Sequence, residues 1–379
     1  MIYLDNSATT KPNEEVMKSF HTAATHYFGN PSSLHGLGME AERLLRKARE
    51  QIAELLQINP DEVVFTSGGT EGNNLAIKGI ALQHQHRGRH IIASSVEHPS
   101  VIESLEALKQ LGFHITYIPV DENGRVNPND VKKEITDDTI LVSVMHVNNE
   151  IGTIQPIEEI GALLHNYPKI FFHVDAVQSI GKVPISIRKA NIDLCTISGH
   201  KIHGLKGTGI LYVKKGIRLF SLAHGGGQEA NIRSGTENVP GIVALAKALR
   251  ITLAKENDTK RIEQLKIYIM DELKKIHYVK INTPETSSAP HIVHFSLPGF
   301  KPEVVIHALE EAKIYISTKS ACSSKKSDIS SVLEACGKSQ AIASSGLRVS
   351  MSFNTTKEEI DGFLHTLNIV INKLAKVMR

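Results

Sequence analysis

The 379-residue chain has only three cysteines, and none of its apolar runs approaches 18 residues. Three cysteines are too few for a disulfide framework, which fits a reducing cytoplasm. Runs that short exclude a membrane-spanning helix. The opening segment Met1-Ile2-Tyr3-Leu4-Asp5-Asn6 lacks the charged and apolar regions of an export signal. No basic block points to direct nucleic-acid binding and no acidic tail points to disorder; the formal charge is +3, spread along the chain. There is no internal repeat and no low-complexity tract. These absences predict a soluble, cytoplasmic protein that engages neither a membrane nor nucleic acid directly.

Composition allows a large core. With 41% hydrophobic and 22% charged residues, the chain forms two domains or one very large one. Short Val- and Ile-rich runs at 63–66, 90–94, 114–119, 140–147, 170–174, 194–198 and 209–213 alternate with amphipathic segments such as 40–56, 99–111 and 157–166. This alternation predicts an α/β fold with a largely parallel sheet covered by helices on both faces. Ligands bind such sheets at the carboxyl ends of the strands. The clusters Thr66–Thr70, Glu97–His98, His146–Glu150, Asp175–Gln178 and Ser198–Lys201 all follow strands, so one crevice can collect them. From about 242 the pattern changes. One long helical stretch, roughly 241–275, leads into a second domain with strands at 291–296, 314–317 and 347–352 and helices at 302–312 and 357–376. The Ser-, Lys- and Ala-rich segment 323–346, with one helical patch near 329–335, is expected to be mostly a mobile surface loop.

Lys201 stands in Ser198-Gly199-His200-Lys201-Ile202-His203-Gly204, directly after an apolar strand. A lysine delivered there is poorly placed as a solvated charge and suits a Schiff base, which needs a desolvated amine. Asp175 ends another strand 26 residues upstream. Pyridoxal phosphate needs such a pair: a lysine for the Schiff base and an acid that keeps the pyridine nitrogen protonated. Phe65-Thr66-Ser67-Gly68-Gly69-Thr70-Glu71 reads as strand, glycine-rich turn and helix start. It is either an ordinary capped turn or an anion cup of backbone N–H groups, with the Thr70 hydroxyl adding a donor. Beside Lys201 and Asp175, the cup for a cofactor phosphate is favoured. His98 is either structural or a ring that stacks on a cofactor and moves protons. Gln178 can hydrogen-bond a phenolic oxygen, and Ser198 and His200 can hold phosphate. His200 and His203 flank a lysine with no Cys or Glu cluster nearby, which argues against a metal site.

The ordered set Tyr3-Leu4-Asp5-Asn6-Ser7-Ala8-Thr9-Thr10, Gly29-Asn30-Pro31-Ser32-Ser33, Thr66-Ser67-Gly68-Gly69-Thr70-Glu71, Glu97-His98, Asn148-Asn149-Glu150-Ile151-Gly152, His173-Val174-Asp175-Ala176-Val177-Gln178, Ser198-Gly199-His200-Lys201 and Arg233-Ser234-Gly235-Thr236 resembles the NifS/IscS-like cysteine desulfurases. These are fold-type I pyridoxal phosphate enzymes of the class V aminotransferase group. The resemblance runs from residue 3 to about 360. It implies a seven-stranded, mostly parallel sheet in a large domain (12–258) and a smaller α+β domain (1–11 with 259–379) carrying a catalytic loop at about 318–346. It implies that Lys201 carries the cofactor, Asp175 pairs with the pyridinium, Gln178 meets the phenolic oxygen and His98 stacks on the ring and shuttles protons. Gly69, Thr70, Ser198 and His200 hold phosphate. Thr236 reaches the phosphate of the other subunit, which implies a homodimer. Asn149 and Arg348 clamp the substrate carboxylate, Arg348 bidentately.

Ser320-Ala321-Cys322-Ser323-Ser324 matches the family's nucleophile motif. Cys322 would attack the sulfur of L-cysteine and carry it as a persulfide, leaving alanine, and Lys319, Lys325 and Lys326 would favour its thiolate. Cys195 reads as a buried strand residue. Cys336 is left open between an inert thiol and a persulfide trap. Lys319, Gly72 and Ser7 depart from the residues usual in the family, and none removes a catalytic group. The 26 residues from Cys322 to Arg348 can span tens of ångströms. That places the chain with the long-loop members, which hand sulfur directly to acceptor proteins for iron–sulfur clusters or tRNA thiolation. The alternatives are a selenocysteine lyase, another fold-type I lyase, or a silent sulfur-carrier scaffold.

Overall fold

The computed structural model describes residues 1–318 and 329–377. Its strands are β1 (Ile2–Tyr3), β2 (Val63–Thr66), β3 (His90–Ser94), β4 (His114–Ile118), β5 (Thr139–Ser143), β6 (Phe171–Asp175), β7 (Leu194–Ser198), β8 (Gly209–Val213), β9 (Lys280–Ile281), β10 (Ile292–Ser296), β11 (Ile314–Tyr315) and β12 (Gly346–Ser350). The first six α-helices are α1 (Glu14–His26), α2 (Gly36–Leu56), α3 (Gly69–His84), α4 (Pro99–Lys109), α5 (Pro128–Glu134) and α6 (Ile157–Leu164). They continue as α7 (Val239–Leu253), α8 (Thr259–Lys274), α9 (Pro302–Glu311), α10 (Ser331–Ala335), α11 (Gln340–Ala343) and α12 (Lys357–Val377). None of the described helices is long and apolar enough to cross a membrane.

Seven strands form one sheet in the order β2-β8-β7-β6-β5-β3-β4. Only β8 runs against its neighbours β2 and β7; the other pairings are parallel. The strands are apolar on both sides because successive side chains point to opposite faces. Ile92, Val142, Cys195, Ile210 and Tyr212 enter one core cluster. Their neighbours Ile91, Leu141, Leu194, Leu211 and Val213 enter another on the opposite face. A third cluster gathers residues of α8, α9, α12, β10 and β12, and Leu4 packs into it. β1 pairs with β11, and Asp5 bridges to Ser350, so the first residues lie against the C-terminal part of the chain.

Three expectations need correction. The helical stretch expected over 241–275 is two helices, α7 and α8. α7 buries against the large-sheet core and α8 against the C-terminal one. The strand expected over 140–147 leaves the sheet after Ser143, although Val144, Met145 and Val147 stay buried; a bridge from Val147 to Ile154 closes the loop that follows. In the described end of the expected surface loop, 329–346, the expected helical patch is α10, but a second helix, α11, follows and the segment is packed rather than free. Val332, Leu333 and Cys336 there pack on Val96 and Ile151.

Candidate active site

Because β2 is antiparallel to β8 and β8 to β7, the strands β2, β3, β5, β6 and β7 end on the same edge of the sheet. One cavity opens there. Gly69 and Thr70 reach it after β2, His98 after β3, Asn149 after β5, and Gln178 just past Asp175, the last residue of β6. Ser198 lines it at the end of β7, and His200 and Lys201 just after. Arg348 enters from β12. Of the site residues expected from sequence, the cavity thus collects all the described ones except Thr236. Thr236 lies in a separate cavity with Ser67, Thr208 and Arg233, and Arg233 holds Glu71 of the same turn at 2.9 Å. Cys322 and Lys319 lie outside the described residues.

Lys201 follows β7 on a single 3-10 turn, and its ammonium donates to the carbonyls of Ser7 and Ala8, the latter at 2.8 Å. The buried Asp175 carboxylate accepts from Val177 N at 3.0 Å and from Asn73 Nδ2 at 2.8 Å. Gln178 Nε2 donates to the Ser7 carbonyl at 3.0 Å, leaving its buried Oε1 without a partner among the described residues. Burial and the nearby Lys201 and Lys206 push the His200 imidazole down to about 4. It is therefore a neutral ring at physiological pH, 3.2 Å from the Thr9 hydroxyl. Burial also lowers the His98 imidazole; Lys201 adds to this and Asp175 opposes it.

Arg348 is 1% exposed. Its Nη1 donates to the Asn149 carbonyl at 2.7 Å, and its Nη2 donates to Asp5 at 3.0 Å and Ser317 at 2.7 Å. Among the described residues, three of its five N–H groups are engaged, and the buried Nε has no partner. The guanidinium is thereby locked in orientation. The ion pair with Asp5 is a contact that the sequence did not reveal.

The donor set fits pyridoxal phosphate. The first turn of α3 has no side-chain cap, because its cap position is Gly68, and the buried Ser198 hydroxyl beside it has no partner among the described residues. Gly68 adopts φ 149°, which only glycine takes readily. Free N–H groups at a helix start and a spare hydroxyl suit a phosphate. The Asp175 carboxylate faces the same cavity and could pair with a protonated ring nitrogen.

Sequence reasoning passed over Asn73, Ser100, Ser7 and Met145, which also line the cavity. Asn73 had a signal: a buried amide in a helix interior needs polar partners. Ser7 contributes mainly a backbone carbonyl, which residue type does not disclose.

The class-V aminotransferase family matches residues 2–363. A NifS/IcsS protein homolog of Lactobacillus delbrueckii subsp. bulgaricus is 47% identical, covering 100% of this chain and 99% of that protein. The cysteine desulfurase IscS of Dictyoglomus turgidum is 42% identical over 99% of this chain and 96% of its own length. A solved structure of a NifS-like protein superposes with a TM-score of 0.93 at 38% identity, covering 98% of this chain and 99% of that one. Matches of this extent, over a cavity with this donor set, place the chain in the class-V aminotransferase family.

Proposed function

We propose that the protein is a pyridoxal phosphate-dependent cysteine desulfurase, which converts L-cysteine to L-alanine and keeps the sulfur as a persulfide on Cys322. The observation that carries this reading is the convergence of Lys201, Asp175, Gln178, Ser198 and Arg348 on one cavity at the carboxyl edge of the sheet. Relatives of full length named cysteine desulfurase support it.

Lys201, Asp175, Gln178, Gly69, Thr70, Ser198 and His200 would hold the cofactor, whose chemistry there is to accept the electron pair left when the substrate Cα loses its proton. The Asp175 carboxylate keeps a proton on the pyridine nitrogen. Arg348 and Asn149 hold the substrate carboxylate. Lys201 Nζ takes the Cα proton, with His98 beside it to move protons. The Cys322 thiolate forms a bond to the substrate sulfur; the Cβ–S bond breaks, its electron pair stays with carbon, a proton is added at Cβ, and return of the proton from Lys201 to Cα completes alanine. Acceptor proteins for cluster assembly or tRNA thiolation then draw the sulfur in the cytoplasm. In this reading residues 12–258 form the cofactor domain, with 1–11 and 259–379 forming the second. Thr236 reaches the cofactor of the other subunit of a homodimer.

The test is sulfide and alanine release from cysteine by purified protein, with selenocysteine in parallel. Wild-type protein is yellow and active. Lys201→Ala is inactive and lacks the covalently bound chromophore. Cys322→Ser keeps the chromophore and releases no sulfide. Sulfide release by Cys322→Ser would sink the assignment of the nucleophile.

A further inference from the structure

The positions of Asn73 and Ser100 carry a consequence for His98, one that rests on the reading of this cavity as the active site. His98 is the cap residue of α4, followed by Pro99 at the first helical position. Its Nδ1 accepts the backbone N–H of Ser100 at 3.1 Å, and the Ser100 hydroxyl lies 2.8 Å from the same nitrogen. The Ser100 hydroxyl oxygen also accepts from Asn73 Nδ2 at 2.9 Å. The same Nδ2 donates to Asp175 at 2.8 Å. The amide orientation follows from its partner, because the Asp175 carboxylate oxygen accepts and would repel Asn73 Oδ1.

Both Nδ2 hydrogens of Asn73 are committed, one to Asp175 and one to Ser100. The Ser100 oxygen receives that hydrogen and gives its own to His98. Two donors converge on Nδ1, so Nδ1 carries no proton. A neutral ring must hold its proton on Nε2, on the opposite edge. We propose that His98 acts from a single tautomer, as an Nε2–H donor to the cavity, and that Asn73 and Ser100 are the positioning residues that tie this tautomer to Asp175.

Charging the ring would place a proton on Nδ1, against the cap it makes and against the positive end of α4. His98 therefore rests as a donor, and it takes up a proton at Nε2 only after giving one away. The chain Asp175–Asn73–Ser100–His98 also fixes the ring plane from the residue that faces the pyridine nitrogen.

Ring 15N spectra of the full-length chain with labelled histidine, recorded without added pyridoxal phosphate, read the tautomer; His98→Asn identifies the His98 resonances. The wild-type protein and Ser100→Thr are expected to show the proton on Nε2. In Ser100→Ala and Asn73→Ala the Nδ1 resonance moves toward that of an unbonded acceptor. In the cofactor-loaded enzyme, Ser100→Ala lowers kcat for sulfide release about fivefold, the scale of one neutral hydrogen bond. KM for cysteine holds, and threonine restores the rate. Ser100→Cys, which exchanges a strong donor for a weak one, serves if the alanine variant does not fold. A wild-type proton on Nδ1 overturns the tautomer. An unmoved Nδ1 resonance or an unchanged kcat in Ser100→Ala overturns the positioning role. Absence of desulfurase activity in the wild type would fell the functional reading alone, since the resonances report the tautomer without turnover.

Discussion

Cys336 lies 14 residues from Cys322, and its surroundings argue against its acting as a nucleophile. Cys336 is buried with Val332, Leu333 and Ile151, and burial pushes its thiol up to about 11. A thiol so protonated neither attacks nor traps a persulfide at neutral pH. Cys336→Ser should therefore keep its rate of sulfide release, and a fall in rate comparable to that of Cys322→Ser would contradict the burial argument. Glu97 is a second residue whose surroundings decide its state. Burial, helped by Asp175, raises its carboxyl to about 8 against the opposing bonds from Ser94 and Met145 N. Between the ordinary carboxylate range and about pH 8 the folded protein keeps a proton there that the unfolded chain has lost. Folding stability contributed by this group thus falls as pH rises through that window. Glu97→Gln removes the slope, so the urea midpoint of the variant should gain on wild type from pH 5 to pH 8. A constant difference would show that Glu97 ionises normally.

At the scale of elements, apolar periodicity located every strand of the large sheet to within a few residues, because strands buried on both faces must be short continuous apolar runs. It placed the polar clusters at strand ends for the same reason. It did not divide α7 from α8 or end β5 at Ser143, since those boundaries depend on which core a segment meets. Nor did it give α6 its close contact. Gly161 in α6 approaches the chain so nearly that a Cβ there would sit 1.8 Å from the Ala190 carbonyl oxygen. Alanine at this position gains up to about 1 kcal/mol of helix propensity, but the contact with backbone cannot yield without moving the segment. Gly161→Ala should lower stability by about 1–3 kcal/mol, read as a lower urea midpoint. A stabilised variant would mean that α6 shifts freely.

For the whole molecule, the C-terminal part returns to the large sheet. Arg348 reaches Asp5 and Asn149, and Ser330 donates to Glu150 at 2.6 Å. Leu333 completes a small core with Val96 and Ile151. Asn149 and Glu150 belong to the loop after β5, so the cavity wall and the C-terminal segment share supports. The position of Thr236 outside the cavity of its own chain agrees with a proposed role across a dimer interface. Light scattering on a sizing column should give twice the chain mass, and Thr236→Ala should loosen pyridoxal phosphate without dissociating the dimer. A monomer that binds the cofactor fully would end the shared-site proposal.

The sequence by itself determined the alternation of strands and helices, the cofactor class and the residue types that converge on the cavity. Those follow from local periodicity and from short motifs whose chemistry depends on neighbours in the chain. Only the tertiary structure decided that Asn73 and Ser100 join Asp175 to His98, that Asp5 occupies part of Arg348, and that Cys336 is sealed away. Each of these contacts joins separate elements, the Arg348–Asp5 pair across 343 residues of chain. Hydrogen-bond direction and burial are properties of such three-dimensional neighbours, and residue order alone does not specify them.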